Sequence, residues 1–335
     1  MIDEALLTRD WLLADGATGT NLFAMGLVSG EAPEIWNIEH PDRVRRLHQS
    51  FVEAGSDIIL TNTFGCNRRR LALHKLEEQT HELNRLAAGH GRAVADAADR
   101  KVLVAGSVGP TGDLYVPLGD LTEDAAVEVF VEQIEGLKAG GADVVWIETM
   151  SSFEEIRAAS RAAARVGMPY TVTASFDTAG STMMGIAPAA MIEIVADFDP
   201  APQAIGANCG VGASDLLASI LQMSAVRPDK VLIAKGNCGI PQVDGDKVIY
   251  TGTPALMGDY ARLAVDAGAR ILGGCCGTSP AHVLAMRRAL DGYQRRERPD
   301  LARIIAAIGP LTAPPPSAAR EDAARKSRRR GAPAA

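Results

Sequence analysis

The sequence predicts an α/β protein with a single domain, folded as a (β/α)8 TIM barrel. Eight short apolar segments rich in β-branched residues recur along the chain, and amphipathic helical patterns lie between them. No linker or change of composition separates one part of the chain from another before residue 310. Near-continuous apolar strands that alternate with helices are typical of a parallel sheet covered on both faces. Eight such units in about 280 residues are typical of the barrel.

Each predicted strand runs into a polar or glycine-rich turn. In chain order the strands are predicted at residues 11–16, 57–64, 101–110, 143–149, 170–176, 203–210, 230–237 and 269–276. An open, doubly wound sheet is the competing arrangement, and it requires a G-x-G-x-x-G turn after the first strand. The turn found there, DGATGTN, lacks that spacing, so the pattern favours the barrel.

The segments between the strands have the pattern of helices. Residues 42–55, DRVRRLHQSFVEAG, and residues 124–141, DAAVEVFVEQIEGLKAGG, are amphipathic and end in glycine, as helices with a glycine C-cap do. After the last strand, Ser279 is predicted to cap a helix whose first residue is Pro280; serine and proline are favoured at these two positions.

Composition and charge limit the classes of function. Hydrophobic residues make up 47% of the chain and charged residues 22%, as in soluble globular proteins. The net charge is −7. Residues 311–335 hold six basic and two acidic side chains, a net +4, so residues 1–310 carry −11. An acidic body of this kind disfavours nucleic acid as a partner. The segment 311–335, rich in proline, alanine and arginine, is predicted to be a disordered basic tail.

The N-terminus carries acidic residues early and lacks the basic segment of a signal peptide. No apolar run reaches the 18 or so residues that a membrane span requires. We therefore expect a cytoplasmic protein with no membrane partner. Thiols stay reduced there, so an odd count of five cysteines favours metal binding or catalysis over a disulfide framework.

In a barrel enzyme the active site lies at the carboxyl ends of the strands. Twelve polar or thiol residues stand at the predicted strand ends: Asp15, Thr61, Asn62, Ser107, Glu148, Ser175, Asn208, Cys209, Lys235, Asn237, Cys275 and Cys276. Three of the five cysteines are in this set. Because the strand ends converge around the mouth of a barrel, we expect these three thiols to lie close together.

Three converging thiols indicate a zinc site with Cys209, Cys275 and Cys276 as ligands. Catalytic zinc sites have three protein ligands and keep one position open. Neighbouring residues of a strand point to opposite faces, but the glycines that flank Cys275 and Cys276 allow the chain to turn both sulfurs inward. The alternatives are a vicinal disulfide or two buried cysteines. Cys238 is a rival ligand near a strand end, although Cys66 and Cys238 are both predicted to be packing residues.

Several motifs together resemble the homocysteine S-methyltransferase family, which includes betaine–homocysteine S-methyltransferase and the first module of cobalamin-dependent methionine synthase. The resemblance extends from Leu12 to Leu290. It rests on DGATGTNL, EHPDRVRRLHQSFVEAGSDIILTNTF, GSVGPTG, IET, GANCG and GGCCGTSPAHV. The family fold is a (β/α)8 barrel, in agreement with the strand count.

The resemblance implies roles for residues at the strand ends. It implies that Zn²⁺ binds the three cysteines and that the homocysteine thiol takes the fourth position. A zinc-bound thiol is deprotonated, so the substrate sulfur becomes a nucleophile for an activated methyl group. The remaining homocysteine contacts implied by the family motifs are Asp15 and Glu148 for the ammonium, Ser107 for the carboxylate, Gly16 for close backbone approach, and Asn208 for orientation of the neighbouring ligand.

The methyl donor is less well determined. Glycine betaine is the preferred candidate, and aromatic rings suit a quaternary ammonium; Trp36 and Tyr115 lie in loops that could supply them. Three departures from animal-type betaine enzymes, TFGCN at 63–67, Thr149 after the acid and the short basic tail, place the chain nearer to the bacterial methionine-synthase-like branch. S-methylmethionine or another sulfonium, and a separate methyl-corrinoid protein, are the alternative donors. A more distant alternative is a zinc-free lyase in which Lys235 forms a Schiff base with the substrate. The sequence does not determine the oligomeric state.

Overall fold

The computed structural model describes residues 2–244 and 247–312 and contains an eight-stranded parallel sheet and a two-stranded antiparallel hairpin. The strands in chain order are β1 Leu12–Leu13, β2 Ile58–Leu60, β3 Leu103–Val108, β4 Val144–Met150, β5 Tyr170–Ala174, β6 Ala204–Cys209, β7 Leu232–Gly236, β8 Pro241–Asp244, β9 Lys247–Tyr250 and β10 Ala269–Gly274. All eight strands predicted from the sequence are present; seven are shorter than their apolar segments, and β4 has the same length as its segment.

The parallel strands form a barrel. Their order is β1-β10-β7-β6-β5-β4-β3-β2. A parallel bridge between Ala14 and Ile58 joins the two end strands, and the N–H of Asp57 donates to the carbonyl oxygen of Leu13 at 2.6 Å. The fold class predicted from the sequence is therefore confirmed.

Helices surround the barrel. In chain order they are α1 Ile2–Leu7, α2 Gly19–Ala24, α3 Trp36–Glu39, α4 Pro41–Glu53, α5 Arg68–Leu71, α6 Thr80–Asp96, α7 Glu123–Ala139, α8 Phe153–Val166, α9 Pro188–Val195, α10 Ala213–Val226, α11 Pro254–Ala267, α12 Pro280–Leu290 and α13 Leu301–Ile308. The predicted helices correspond to α4, α7 and α12, and Ser279 caps α12 through a capping box with His282. No described helix is long and apolar enough to cross a membrane.

The barrel interior is apolar at the amino ends of the strands and polar at the carboxyl ends. Strand β4 shows this change: Val144 and Trp146 belong to the buried interior cluster, whereas Glu148, two residues further on, lines a cavity. Because alternate residues of a strand share a face, the same strand that fills the core also carries the acid to the mouth of the barrel.

Three features were not predicted from the sequence. Helix α1 closes the amino end of the barrel, since Ile2 and Leu6 pack into the interior cluster. The β8–β9 hairpin is inserted between β7 and α11. After α13, the N–H of Thr312 donates to the carboxylate of Asp215 at 3.0 and 3.1 Å, so the segment assigned to the tail begins against the barrel. Its remainder, 313–335, lies outside the described residues.

Candidate metal centre and adjoining cavity

The three predicted zinc ligands lie together at the carboxyl end of the barrel. Cys209 ends β6, and Cys275 and Cys276 follow β10 directly. These two strands are separated by β7 alone. The three sulfur atoms all lie within 4.8 Å of one another, and the Sγ atoms of Cys209 and Cys276 are 3.8 Å apart.

Unusual backbone conformations turn the sulfurs toward one another. Cys209 has a φ of 59° and Gly210 a φ of 74°, both in the left-handed region that non-glycine residues rarely adopt. On the other side of the centre, Gly277 has a φ of 77°, and a Cβ at this position would lie 2.3 Å from the ring of Tyr250. A glycine is therefore required directly after the cysteine pair, for conformation and for space.

Asn237 connects the two cysteine-bearing loops. Its Oδ1 accepts a hydrogen bond from the N–H of Cys276 at 3.0 Å, and its Nδ2 donates to the carbonyl oxygen of Gly210 at 2.7 Å. The neighbouring Cys238 donates its N–H to the carbonyl oxygen of Cys276 at 2.9 Å. The end of β7 thus fixes the loop after β6 against the loop after β10.

Asn208 holds the side of the centre that faces β4 and β5. Its Oδ1 accepts from the N–H of Thr149 at 2.8 Å and from the hydroxyl of Thr173 at 2.7 Å. Its Nδ2 donates to Oγ1 of Thr149 at 2.7 Å and lies 3.9 Å from the Sγ of Cys275. The amide is satisfied and fixed in orientation, as expected of a residue that supports a ligand.

The geometry and charge of the three thiols fit a zinc ion. Sulfurs bound tetrahedrally at about 2.3 Å from one zinc ion are about 3.8 Å apart, which matches the measured distance between Cys209 and Cys276. Hydrogen bonds to the neighbouring thiols of Cys275 and Cys276, together with burial, raise the pKa of Cys209. Three such thiols can all ionise only when a cation compensates their charge.

The centre opens into a cavity of about 500 Å³ at the mouth of the barrel, a size typical of small-molecule sites. Its walls come from the strand ends and from the loops after β1 and β2. The residues that line it include Gly16, Phe23, Glu34, Phe64, Arg70, His74, Ser107, Glu148, Cys209, Lys235, Cys275 and Cys276.

Glu148 and Ser107 form a hydrogen-bonded pair in this cavity. The Ser107 hydroxyl lies 2.5 Å from Oε1 of Glu148. Burial raises the pKa of Glu148 to about 7, because the carboxylate form loses its hydration. The carboxyl group therefore titrates near neutral pH, where an incoming ammonium group favours its ionised form.

Asp15 and Lys235 form an ion pair beneath the cavity. The two side chains are 1% and 2% exposed, and Nζ of Lys235 lies 2.7 Å from Oδ1 of Asp15. The other carboxylate oxygen of Asp15 accepts the N–H of Leu60 at 2.7 Å. Both oxygens of Asp15 are thus occupied within the protein, while Lys235 reaches the cavity wall. Asp15 was predicted from the sequence to bind the substrate ammonium, and its pair with Lys235 was not predicted.

Of the remaining predicted site residues, one lines the cavity and two do not. Gly16 lines the cavity, and a Cβ there would lie 2.5 Å from the carbonyl oxygen of Thr278, so its small size serves contact between loops. Trp36 and Tyr115, the predicted donor-pocket residues, do not line this cavity. Trp36 is 2% exposed and stacks edge-on against His40. Tyr115 packs against the hydrophobic core.

Different aromatic residues lie near the centre. Phe23 and Phe64 line the cavity and are 49% and 39% exposed. Tyr250, at the end of the hairpin, interacts with the Cys276 thiol. The sequence gives little indication of these residues, since one lies in a helix of six residues, one lies in the loop four residues after the end of β2 and one belongs to an insertion.

The fold and the site define a class of protein, a (β/α)8 barrel with a three-cysteine metal centre at the carboxyl ends of its strands. The comparison with known families is specific: the family model described as homocysteine S-methyltransferase matches residues 12–290. The chain belongs to the homocysteine S-methyltransferase family, which confirms the resemblance found in its motifs.

Individual relatives agree with this assignment. Methionine synthase of Mycobacterium tuberculosis H37Rv is 30% identical over 88% of this chain, and that of Mycobacterium leprae is 29% identical over 85%. The chain spans about a quarter of these relatives, 26% and 25% of their lengths.

Among solved structures, the homocysteine methyltransferase MmuM from Escherichia coli is similar in its oxidised and metallated forms. Both are 26% identical to this chain, with TM-scores of 0.70 and 0.69. The alignment with the oxidised form covers 84% of this chain and 97% of MmuM, and that with the metallated form covers 85% and 98%. The apo form is 22% identical, with a TM-score of 0.65, and shows the same fold.

The contacts of Asn237 generate a prediction. Asn237→Ala removes both hydrogen bonds that join the cysteine loops, so the apparent zinc affinity is expected to fall about ten- to a hundredfold, as for other residues that support metal ligands. Chelator competition measures this change. Asn84→Ala is the matched control, because Asn84 is also fully buried and binds backbone carbonyls of Cys66 and Thr80. Equal zinc affinity in wild type and Asn237→Ala would show that the loops hold their positions without this residue.

Proposed function

We propose that the protein is a zinc-dependent enzyme that transfers a methyl group to the thiol of homocysteine and forms methionine, with glycine betaine as the donor. The observation that supports this most directly is the cluster of three thiols opening into a cavity that also contains Glu148 and Ser107. A sulfur ligand site and an amino-acid-binding pair in one cavity match the two ends of homocysteine.

In this proposal Cys209, Cys275 and Cys276 hold the metal. A zinc ion held by these residues would supply Lewis acidity, which would lower the pKa of a coordinated thiol and keep it nucleophilic. Asn208 and Asn237 maintain the loop positions, and the glycine at 277 keeps the ring of Tyr250 beside the pair. The metallated form of MmuM, a similar structure, supports a metal in this family.

In the proposal Glu148 binds the ammonium group of homocysteine, and Ser107 orients the Glu148 carboxylate. The Ser107 hydroxyl already donates to the carboxylate in the structure, so the acid is held in place before the substrate arrives. Asp15 acts indirectly, since its two oxygens are taken by Lys235 and by the N–H of Leu60. We assign it the placement of Lys235 at the cavity wall.

The ion pair between Asp15 and Lys235 disfavours the alternative function, a lyase in which Lys235 forms a Schiff base. Although burial disfavours an ammonium group, the carboxylates of Asp15 and Glu148 outweigh this effect and raise the pKa of Lys235. A Schiff base requires the neutral amine as nucleophile, so an amine held in its protonated form is poorly suited to that chemistry.

To test the proposed methyl transfer, the zinc-loaded chain is incubated with homocysteine and glycine betaine alone. Methionine and dimethylglycine are expected in equal amounts, since each transfer converts one molecule of each substrate. Mass spectrometry quantifies both products. If neither product forms, S-methylmethionine and then a methyl-corrinoid protein are supplied in place of betaine; methionine formation with one of these alone would contradict betaine as donor.

The ligand assignment predicts the behaviour of cysteine variants. Cys209→Ala and Cys275→Ala are each expected to lose bound zinc on dialysis and to lose activity, because two thiolates hold zinc much more weakly than three. Zinc content by elemental analysis is the primary measurement. Cys66→Ala is the control, since Cys66 packs against Leu71 and Leu83 outside the group of three. Full zinc retention in either ligand variant would refute the assignment.

The raised pKa of Glu148 predicts a pH dependence of homocysteine binding. The ionised carboxylate binds the substrate ammonium, so its contribution is present above pH 7 and is lost as the pH falls through about 7, by about tenfold for each unit below. Glu148→Gln removes this contribution at every pH. Calorimetry on both zinc-loaded proteins should show an affinity difference at pH 8 that shrinks at pH 6. Because thiol ionisation affects both proteins equally, a difference independent of pH would contradict the role.

A further inference from the structure

The wall of the cavity formed by the loops after β1 and β2 carries two opposite charges that the homocysteine site does not use. They are Glu34, in the loop after β1, and Arg70, in α5. Both line the same cavity as the three thiols. The cavity must hold a methyl donor beside homocysteine, so charged groups in this wall bear on the kind of donor it accepts.

Arg70 differs from the two arginines that precede it. Arg68 pairs with Glu132 at 2.9 Å and Arg69 with Asp113 at 2.5 Å. Across the part of the chain that the structure describes, the Arg70 guanidinium forms neither a hydrogen bond nor an ion pair within 4 Å. Its donors are therefore available to a ligand in the cavity.

The position of Arg70 is fixed by its helix. Oδ1 of Asn67 caps α5 by accepting the N–H of Arg70 at 3.0 Å, and Nδ2 of Asn67 lies 3.3 Å from the carbonyl oxygen of Pro110. Two buried acids, Glu34 and Glu155, interact with the guanidinium electrostatically. A guanidinium held in this way presents several N–H donors to a carboxylate.

Glu34 lies close to Gly65, as Arg70 does. It is 6% exposed, and its Oε1 accepts the N–H of Gly65 at 2.8 Å. A Cβ on Gly65 would lie 2.9 Å from Oε1 of Glu34 and 3.8 Å from Nε of Arg70, so the two charged groups flank this one residue. Glu34 interacts with Arg70 electrostatically but forms no ion pair within 4 Å among the described residues, so an onium group would be its first close positive partner. The exposed rings of Phe23 and Phe64 in the same cavity also suit an onium group.

We infer that Arg70 and Glu34 select the methyl donor, and that they select a small onium carboxylate, a molecule with a methyl group on a positively charged nitrogen or sulfur and a carboxylate close by. Arg70 binds the carboxylate, and Glu34 attracts the onium centre. This inference rests on the proposed homocysteine methylation. Both glycine betaine and S-methylmethionine have the required chemistry, whereas a corrinoid carrier does not.

The transfer is balanced without any further reactant. The bond between the methyl carbon and the donor nitrogen or sulfur breaks, and its electron pair stays on the donor atom. The homocysteine sulfur supplies the pair for the new carbon–sulfur bond, and its thiol proton passes to solvent. The donor thereby loses its onium charge, while its carboxylate is unchanged.

Arg70→Gln tests the inference, with Arg69→Gln as the matched control. The two arginines are adjacent in α5, but Arg69 is bound to Asp113 at the surface. Loss of a charge-assisted hydrogen bond corresponds to a rise of about ten- to a hundredfold in the KM of the carboxylate donor. We expect that rise in Arg70→Gln alone, with kcat within a few-fold of wild type, and with zinc content and homocysteine affinity unchanged.

Choline provides a readout that does not depend on turnover, because it has a quaternary ammonium but no carboxylate. In competition binding to the zinc-loaded protein, choline is expected to bind at least tenfold more weakly than glycine betaine to wild type and about equally to Arg70→Gln. Parallel assays with glycine betaine and S-methylmethionine show whether nitrogen or sulfur carries the methyl group. Glu34→Gln should weaken binding of both betaine and choline, since it acts on the onium centre.

The outcomes separate this inference from the function on which it rests. An unchanged donor KM in Arg70→Gln, with methionine still formed, would overturn the assignment of Arg70 and leave the proposed function intact. Methylation of homocysteine by a methyl-corrinoid protein and by no small onium compound would overturn the donor class, and betaine as donor with it, but would leave homocysteine methylation intact. Failure of the zinc-loaded wild type to bind homocysteine would overturn both.

Discussion

The close approach of three thiols is the constraint on which the rest of the site depends. Cys209, Cys275 and Cys276 come from two strands that flank β7, and their sulfurs are separated by distances that suit ligands of one ion. Such an arrangement is stable with all three thiols ionised only when a cation is present. The left-handed conformation of Cys209 and the glycine at 277 follow from the same requirement, because they turn the sulfurs toward a common point.

The barrel supplies the remaining parts of the site by simple alternation. In β4, Val144 and Trp146 fill the interior and Glu148 reaches the cavity. In β7, Ile233 lies in the same interior cluster and Lys235 reaches the cavity wall. Residues two positions apart on a strand share a face, so a packed core at one end becomes a polar layer at the other. The charges of this layer are placed on rigid strands, which suits recognition of a small zwitterion.

Sequence alone was sufficient for the barrel and the thiol cluster, because both depend on patterns within short segments. The strand positions follow from apolar runs, and the glycines around Cys275 and Cys276 mark the turn after the last strand. The Asp15–Lys235 pair joins residues 220 positions apart, and its existence depends on the register of strands that no local pattern specifies. The predicted donor aromatics, Trp36 and Tyr115, fall outside the cavity, since loop residues can turn toward the core as readily as toward a site.

The positions of the inserted hairpin and of the short helix α5 also could not be predicted from the sequence. Tyr250, at the end of the β8–β9 hairpin, lies beside the residue that follows the cysteine pair, and Arg70 lines the cavity from a helix of four residues that Asn67 caps. In the sequence, Arg70 is one of three consecutive arginines. The contacts of its two neighbours, not its residue type, distinguish it.

Zinc X-ray absorption spectroscopy of the zinc-loaded protein, with and without homocysteine, tests the metal centre itself. We expect three sulfur neighbours at about 2.3 Å and one nitrogen or oxygen neighbour in the protein alone, and four sulfur neighbours after homocysteine is added. An unchanged count of three sulfurs on addition of homocysteine would contradict coordination of the substrate thiol. Fewer than three sulfurs in the protein alone would contradict the three-cysteine centre itself.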